Sequence, residues 1–103
     1  MKIRVTEDNY QKEVLESSLP VLVEFFAVWC GKCAMMEDIV DEIAGEYEGQ
    51  VKVCQIDIEA SEKLAAQFEV EIVPTFVLFR EGNPAAAASG ILKKETLDDM
   101  IRL

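Results

Sequence analysis

The stretch that decides the fold is Val21-Leu22-Val23-Glu24-Phe25-Phe26-Ala27-Val28-Trp29-Cys30-Gly31-Lys32-Cys33. Its first eight residues form a near-continuous apolar run, the pattern of a strand with both faces buried. Glu24 is the one charge inside that run. A buried carboxyl without a partner is costly when ionised, so Glu24 reads either as a proton-transfer group or, more plainly, as an edge carboxyl that reaches solvent. After the cysteines, Met36, Ile39, Val40, Ile43, Ala44 and Tyr47 recur at helical spacing and Gly49 follows as a stop. The spacing predicts a helix of about four turns. Cys30 then ends the strand, and Cys33 lies in the first turn of the helix. At a helix amino end, unpaired N–H groups and the positive dipole end favour an anion. The thiolate is the nucleophile of disulfide exchange, so Cys30 is a candidate nucleophile. Lys32 adds a nearby cation. Opposing it are six acids and no base between Ala34 and Gln50. The helix terminus touches the sulfur, whereas exposed charges are screened over roughly 8–10 Å, so the terminus is expected to win.

Working outward, Ile3 and Val5 alternate with charged neighbours as a short strand, and Thr6 can cap a helix over residues 7–17 with Tyr10, Val14 and Leu15 inward. Downstream, Val51, Val53, Gln55 and Asp57 fall on one face of a strand and Lys52, Cys54, Ile56 and Ile58 on the other. A helix over residues 61–68 follows, with Ser61 as its cap. After Val73-Pro74, residues 75–79 form an apolar strand that Arg80-Glu81-Gly82-Asn83 ends in a turn. A weak strand over residues 85–89 contains four consecutive alanines, poor strand material. A helix over residues 93–101 completes the chain. This order puts βαβ crossovers first and a hairpin last. It predicts an α/β fold in which a central mixed sheet of about five strands is flanked by four helices. With 103 residues in all, a single domain over 1–103 is expected.

Twenty acids against ten bases give a formal charge of −10, which phosphate backbones and anionic membrane surfaces repel. No apolar stretch approaches the roughly 20 residues of a membrane helix. The amino end turns acidic before an apolar segment can start, so a cytoplasmic protein is expected. The sequence has no histidine, which removes the commonest general base and metal ligand. Its three cysteines, at 30, 33 and 54, are an odd number, so a structural disulfide framework is not expected. Structural zinc takes four ligands, and Cys30, Cys33 and Cys54 would still need a carboxylate, so no metal site is expected. Cys54, between Val53 and Gln55 in a strand, reads as an unreactive small hydrophobe, with a regulatory thiol as the alternative. The acidic residues 37, 38, 41, 42, 46 and 48 read as a solvated helix face.

Trp29-Cys30-Gly31-Lys32-Cys33, then Val73-Pro74-Thr75-Phe76, then Gly82 and Gly90, resemble the thioredoxin family at every landmark and in the family's order. The resemblance covers essentially the whole chain. It implies the thioredoxin fold and reduction of protein disulfides by dithiol–disulfide exchange. Cys30 would be the attacking cysteine and Cys33 the resolving one, the two closing a redox disulfide, with Glu24 accepting the Cys33 proton. Trp29 would pack beside the site and Gly31 would let a substrate backbone approach. Lys32 would lie at the substrate surface between the cysteines. Pro74 would be cis, Val73 would offer backbone hydrogen bonds to a bound peptide, and Gly90 would help form a flat apolar docking surface. No cofactor would be bound, and no nucleotide-binding glycine motif is present. Electrons would come from a partner, in this family a flavin-dependent thioredoxin reductase drawing on NADPH. The other partners would be disulfide-containing proteins, met by a monomer.

Four positions depart from the common family pattern. Lys32 replaces a proline, and a cation there is expected to stabilise the reduced form and make the disulfide more oxidising. Glu24 replaces a buried aspartate. Gln55 replaces a lysine near that acid, so desolvation is expected to act on Glu24 with a cationic neighbour lost. Asp38 replaces a proline that kinks the long helix, so a straighter helix is expected. Two further readings remain: a disulfide oxidase or isomerase tuned by Lys32, and a non-catalytic binding module on the same fold.

Overall fold

The computed structural model describes all 103 residues. Its elements are β1 (Lys2–Arg4), a π-helical turn (Gln11–Leu15), β2 (Val21–Phe26), α1 (Gly31–Glu46), β3 (Lys52–Asp57), α2 (Glu62–Gln67), β4 (Thr75–Arg80), β5 (Asn83–Ser89) and α3 (Lys94–Arg102). The sheet order is β1-β3-β2-β4-β5, parallel among the first three and antiparallel through β4 and β5. The mixed five-stranded sheet with four flanking helical segments is the expected architecture.

Side chains alternate across a strand, so each strand feeds two cores. Leu22, Val53, Phe76 and Leu78 pack with Met36, Val40 and Ile43 of α1 and Leu97, Met100 and Ile101 of α3. Val21, Val23, Phe25, Cys54, Ile56, Val77 and Phe79 pack on the other side with Tyr10, Val14 and Leu64. Phe68 sits edge-on to Phe79 there, with ring centroids 5.5 Å apart. Glu24, between Leu22 and Phe26 on alternate positions, belongs to the α1 side. A polar clamp joins α1 to α3. The Tyr47 hydroxyl donates to Asp98 Oδ1 at 2.8 Å, and Lys94 Nζ lies 2.9 Å from Glu46 Oε2 and 3.0 Å from Asp98 Oδ2. Burial alone would raise the Asp98 carboxyl, but the hydrogen bonds from Lys94 and Tyr47 outweigh it and hold it below its ordinary value.

Four local expectations need correction or sharpening. The first helix is shorter than residues 7–17, although Thr6 and Asn9 make the side-chain-to-backbone bonds of a helix start. Asn9 Oδ1 accepts from Thr6 N at 2.8 Å, and Thr6 Oγ1 accepts from Asp8 N at 3.2 Å, holding residues 7–9 as a turn. The segment that follows closes five-residue rings, Glu16 N donating to Gln11 O at 2.9 Å. Ser61 does not cap α2 with its side chain: its hydroxyl is buried without a hydrogen-bond partner. The turn before Ser61 is held by Asp57 Oδ1, which accepts from Glu59 N at 2.9 Å and Ala60 N at 3.3 Å. β5 starts at Asn83, two residues before the alanines, because Glu81 and Gly82 take positive φ values of 52° and 78° and make a two-residue hairpin turn. An edge strand tolerates Pro84 and small residues. α1 runs unbroken from Gly31 to Glu46, with Asp38 in its interior.

Candidate active site

β2 ends at Phe26 and α1 begins at Gly31, so residues 27–30 carry the chain from the sheet into the helix. Cys30 is the N-cap residue of α1, with extended backbone (φ −85°, ψ 112°), and its Sγ accepts from Cys33 N at 3.1 Å. The sulfur thus holds the place where a capping oxygen normally satisfies a helix amino end. Cys30 and Cys33 are both thiols, and both are buried, with relative exposures of 8% and 7%. The Cys30 thiol also faces Val73 O at 3.6 Å. Burial pushes the Cys33 thiol well above its ordinary value, and its hydrogen bond to Cys30 adds to the rise.

The Val73–Pro74 peptide is cis. Val73, Ala27, Cys30 and Cys33 share one small apolar cluster. Gly90, at φ +94°, donates its N–H to Pro74 O at 2.8 Å, which fixes the 89–91 loop beside the proline. Trp29 is 66% exposed next to Cys30. Four apolar side chains that the sequence reading did not single out for function are also exposed within two residues in sequence of these groups: Val28 before Trp29, Met35 after Cys33, Ile72 before Val73 and Ile91 after Gly90. Met36 by contrast is fully buried. The available signal was their adjacency to the motifs; what hid them is that an isolated apolar residue normally reads as core.

Glu24 is only 3% exposed, and Gln55 Nε2 donates to its Oε1 at 2.9 Å. It does not reach solvent as an edge carboxyl. A cleft of about 240 Å³ connects it to the sulfurs, lined by Glu24, Gln55, Arg4, Glu37, Cys30 and Cys33 among others. Burial raises the Glu24 carboxyl above its ordinary value, and the Gln55 hydrogen bond and the charge of Lys2 pull against that rise. The expectation of a lost cationic neighbour is therefore corrected: β1, not β3, supplies positive charge. Cys54 lies elsewhere, fully enclosed in the opposite core, where burial pushes its thiol up to about 12. That environment suits an inert side chain. No group of three or more His, Cys, Asp or Glu side chains is placed to hold a metal ion.

The raised Glu24 carboxyl has a consequence for stability. Between the ordinary value of 4.5 and its higher folded value, the native state binds more protons than the unfolded chain. Stability attributable to Glu24 is therefore fully present below 4.5 and lost as pH rises through the folded value. Urea unfolding across a pH series is expected to give a Glu24→Gln protein whose stability gain over the parent grows over that window and then levels off, by about 1.4 kcal/mol for each unit of pKa difference. A difference that stays flat with pH would refute the assignment.

A dithiol at the amino end of a helix, fed by a central parallel strand and faced by a cis-proline loop, defines a thioredoxin-fold thiol–disulfide oxidoreductase. The family model described as Thioredoxin matches residues 1–103. Relatives include a thioredoxin of Rickettsia felis, 41% identical over 101 residues that cover 98% of this chain and 96% of that one. Thioredoxin 1 of Synechococcus elongatus is 42% identical over 90% of this chain and 87% of its own, and a thioredoxin of Pseudomonas aeruginosa is 37% identical over 92% and 88%. The chain belongs to the thioredoxin family. It is a disulfide oxidoreductase whose redox chemistry resides in cysteines rather than in a bound cofactor, with disulfide substrates and a reductase as its general partners. No helix is long and apolar enough to cross a membrane.

Proposed function

We propose that residues 1–103 act as a single-domain, monomeric reductase of protein disulfides in the cytoplasm, with Cys30 as nucleophile, Cys33 as resolving thiol and Glu24 as proton acceptor. The observation that carries this reading is the Cys30 sulfur held at the amino end of α1 by Cys33 N at 3.1 Å.

Cys30 thiolate attacks one sulfur of the substrate disulfide, and the other sulfur leaves as a thiolate that takes a proton from solvent. Glu24 carboxylate, at the inner end of the cleft, takes the proton of Cys33, directly or through one water. Cys33 thiolate then attacks the Cys30 sulfur of the mixed disulfide. The second substrate sulfur leaves, and a Cys30–Cys33 disulfide remains. Two electrons have passed from the dithiol to the substrate, and a thioredoxin reductase drawing on NADPH returns them. Trp29, Gly31 and the loops carrying Val73, Pro74 and Gly90 form the docking surface, with the free backbone of Val73 available to an extended peptide. The charge of −10 directs the protein away from nucleic acid and anionic membranes.

Insulin reduction by dithiothreitol tests the reading: the protein is expected to hasten precipitation of the insulin B chain. A rate no faster than dithiothreitol alone would leave the fold as a binding module. Lys32, exposed between the cysteines, favours a second reading as a disulfide oxidant. Substituting Lys32→Pro is expected to make the Cys30–Cys33 potential more negative, each 30 mV or so corresponding to a tenfold change in the exchange equilibrium. Equilibration with glutathione measures it; an unchanged or less negative potential would remove Lys32 from the redox argument.

A further inference from the structure

The sheet register sets Arg4, Gln55 and Glu24 side by side on β1, β3 and β2. Lys2, two residues before Arg4, faces the same way. That face is the one α1 covers. On α1, Glu37 stands one turn beyond Cys33 and lines the cleft shared by Glu24 and the two sulfurs. Lys2 Nζ lies 3.0 Å from Glu37 Oε1 and 2.7 Å from Asp41 Oδ1, and its side chain is only 20% exposed.

We propose that Lys2 and Glu37 are positioning residues of opposite sign that set the pH at which Glu24 accepts the Cys33 proton, Lys2 favouring the carboxylate and Glu37 opposing it. The proposal rests on the reading of Glu24 as proton acceptor. Gln55 gives Glu24 a neutral hydrogen bond and no charge, so positive charge has to arrive from another strand. Arg4 is nearer in register and borders the same cleft, but its guanidinium is stacked on the Phe26 ring, 4.7 Å from the ring centre, rather than paired with Glu24. Lys2 is largely covered, and its contacts with Glu37 and Asp41 pin it on the side of the sheet that α1 covers, where less water screens it. The charged and titratable groups around Glu24 are Lys2 and Arg4 from β1, Cys33, Glu37 and Asp41 from α1, and Cys30 before it. Among them, the attraction of Lys2 and the repulsion of Glu37 are the charge effects that act on Glu24 beside burial and the Gln55 bond. Asp41 keeps its own contact with Lys2, so neutralising Glu37 removes the negative neighbour without releasing the positive one.

Titration of the Glu24 carboxyl carbon by NMR tests this in the oxidised protein, where neither active-site sulfur carries a proton and Glu24 titrates without coupling to them. Lys2→Met is expected to raise the Glu24 midpoint and Glu37→Gln to lower it, each by about half to one pH unit. Lys2→Arg, which keeps the charge, is expected to restore the parent midpoint. The pH profile for resolution of a trapped mixed disulfide should shift with each variant in the same direction. Midpoints that do not move, or that both move downward as simple wetting of the cleft would cause, overturn the proposal. Midpoints that move in opposite directions while the resolution profile stays fixed uphold the tuning and overturn the role of Glu24 as proton acceptor.

Discussion

Replacing Cys30 by serine is expected to abolish the acceleration of insulin reduction, and replacing Cys33 by serine to leave the protein covalently attached to its substrate. The two outcomes differ because the two sulfurs occupy different environments. The Cys30 sulfur is the capping group of α1 and accepts the N–H of Cys33 at 3.1 Å, so it sits where the chain has oriented its unpaired donors. A serine hydroxyl fits the same cap but cannot exchange with a disulfide, so the Cys30→Ser protein is expected to be folded and inert. The Cys33 thiol lies deeper and is held protonated by burial, so it is suited to a second step that begins only after a proton acceptor acts. Without it, the mixed disulfide formed by Cys30 has no internal nucleophile to release it. Mass spectrometry of the Cys33→Ser protein after incubation with an oxidised substrate should find one substrate sulfur linked to Cys30. Persistent insulin reduction by Cys30→Ser, or no adduct with Cys33→Ser, would reverse or discard the assigned roles.

The second large effect is expected at Glu24. Glu24→Gln keeps the shape of the side chain and its proximity to Gln55 but removes the carboxylate proposed to take the Cys33 proton. General base catalysis contributes typically about 10²–10⁴-fold, so resolution of the mixed disulfide is expected to slow by roughly a hundredfold at neutral pH. The first step, attack by Cys30, should change little, because the cleft places Glu24 behind the dithiol rather than at the substrate surface. Stopped-flow tryptophan fluorescence, reporting through Trp29, can follow the two steps separately. Equal resolution rates in variant and parent would leave Glu24 as a structural acid only. The same variant is expected to be the more stable protein above the ordinary carboxyl range, so a loss of rate accompanied by a gain of stability separates function from damage.

Much of this site can be read from local pattern. The eight-residue run from Val21, apolar except for Glu24, requires a buried strand containing an acid. The helical spacing from Met36 to Tyr47 places the cysteines at a helix amino end. Both inferences hold in the structure because periodicity and motif spacing act within a few residues of one another. The misplaced details have equally local causes of another kind. The segment from Glu7 forms a capped turn and then a π-helical stretch, and the Ser61 hydroxyl makes no hydrogen bond while Asp57 holds the turn before α2. Side-chain hydrogen bonding of this sort depends on rotamers, which hydrophobic patterning does not encode.

By itself, then, the sequence determined the α/β architecture, the dithiol at a strand-to-helix junction and the acid inside the strand. Tertiary structure alone decided what surrounds them. Cys30 meets the Val73 carbonyl from 43 residues away, Gln55 reaches Glu24 across 31, and Lys2 reaches Glu37 across 35. The replacement of a lysine by Gln55 read as a lost cation because the family pattern compares one position at a time. The sheet, by laying β1 against β3 in register, returns positive charge to Glu24 from the amino end, since strand pairing rather than chain distance sets which charges share a low-dielectric cleft.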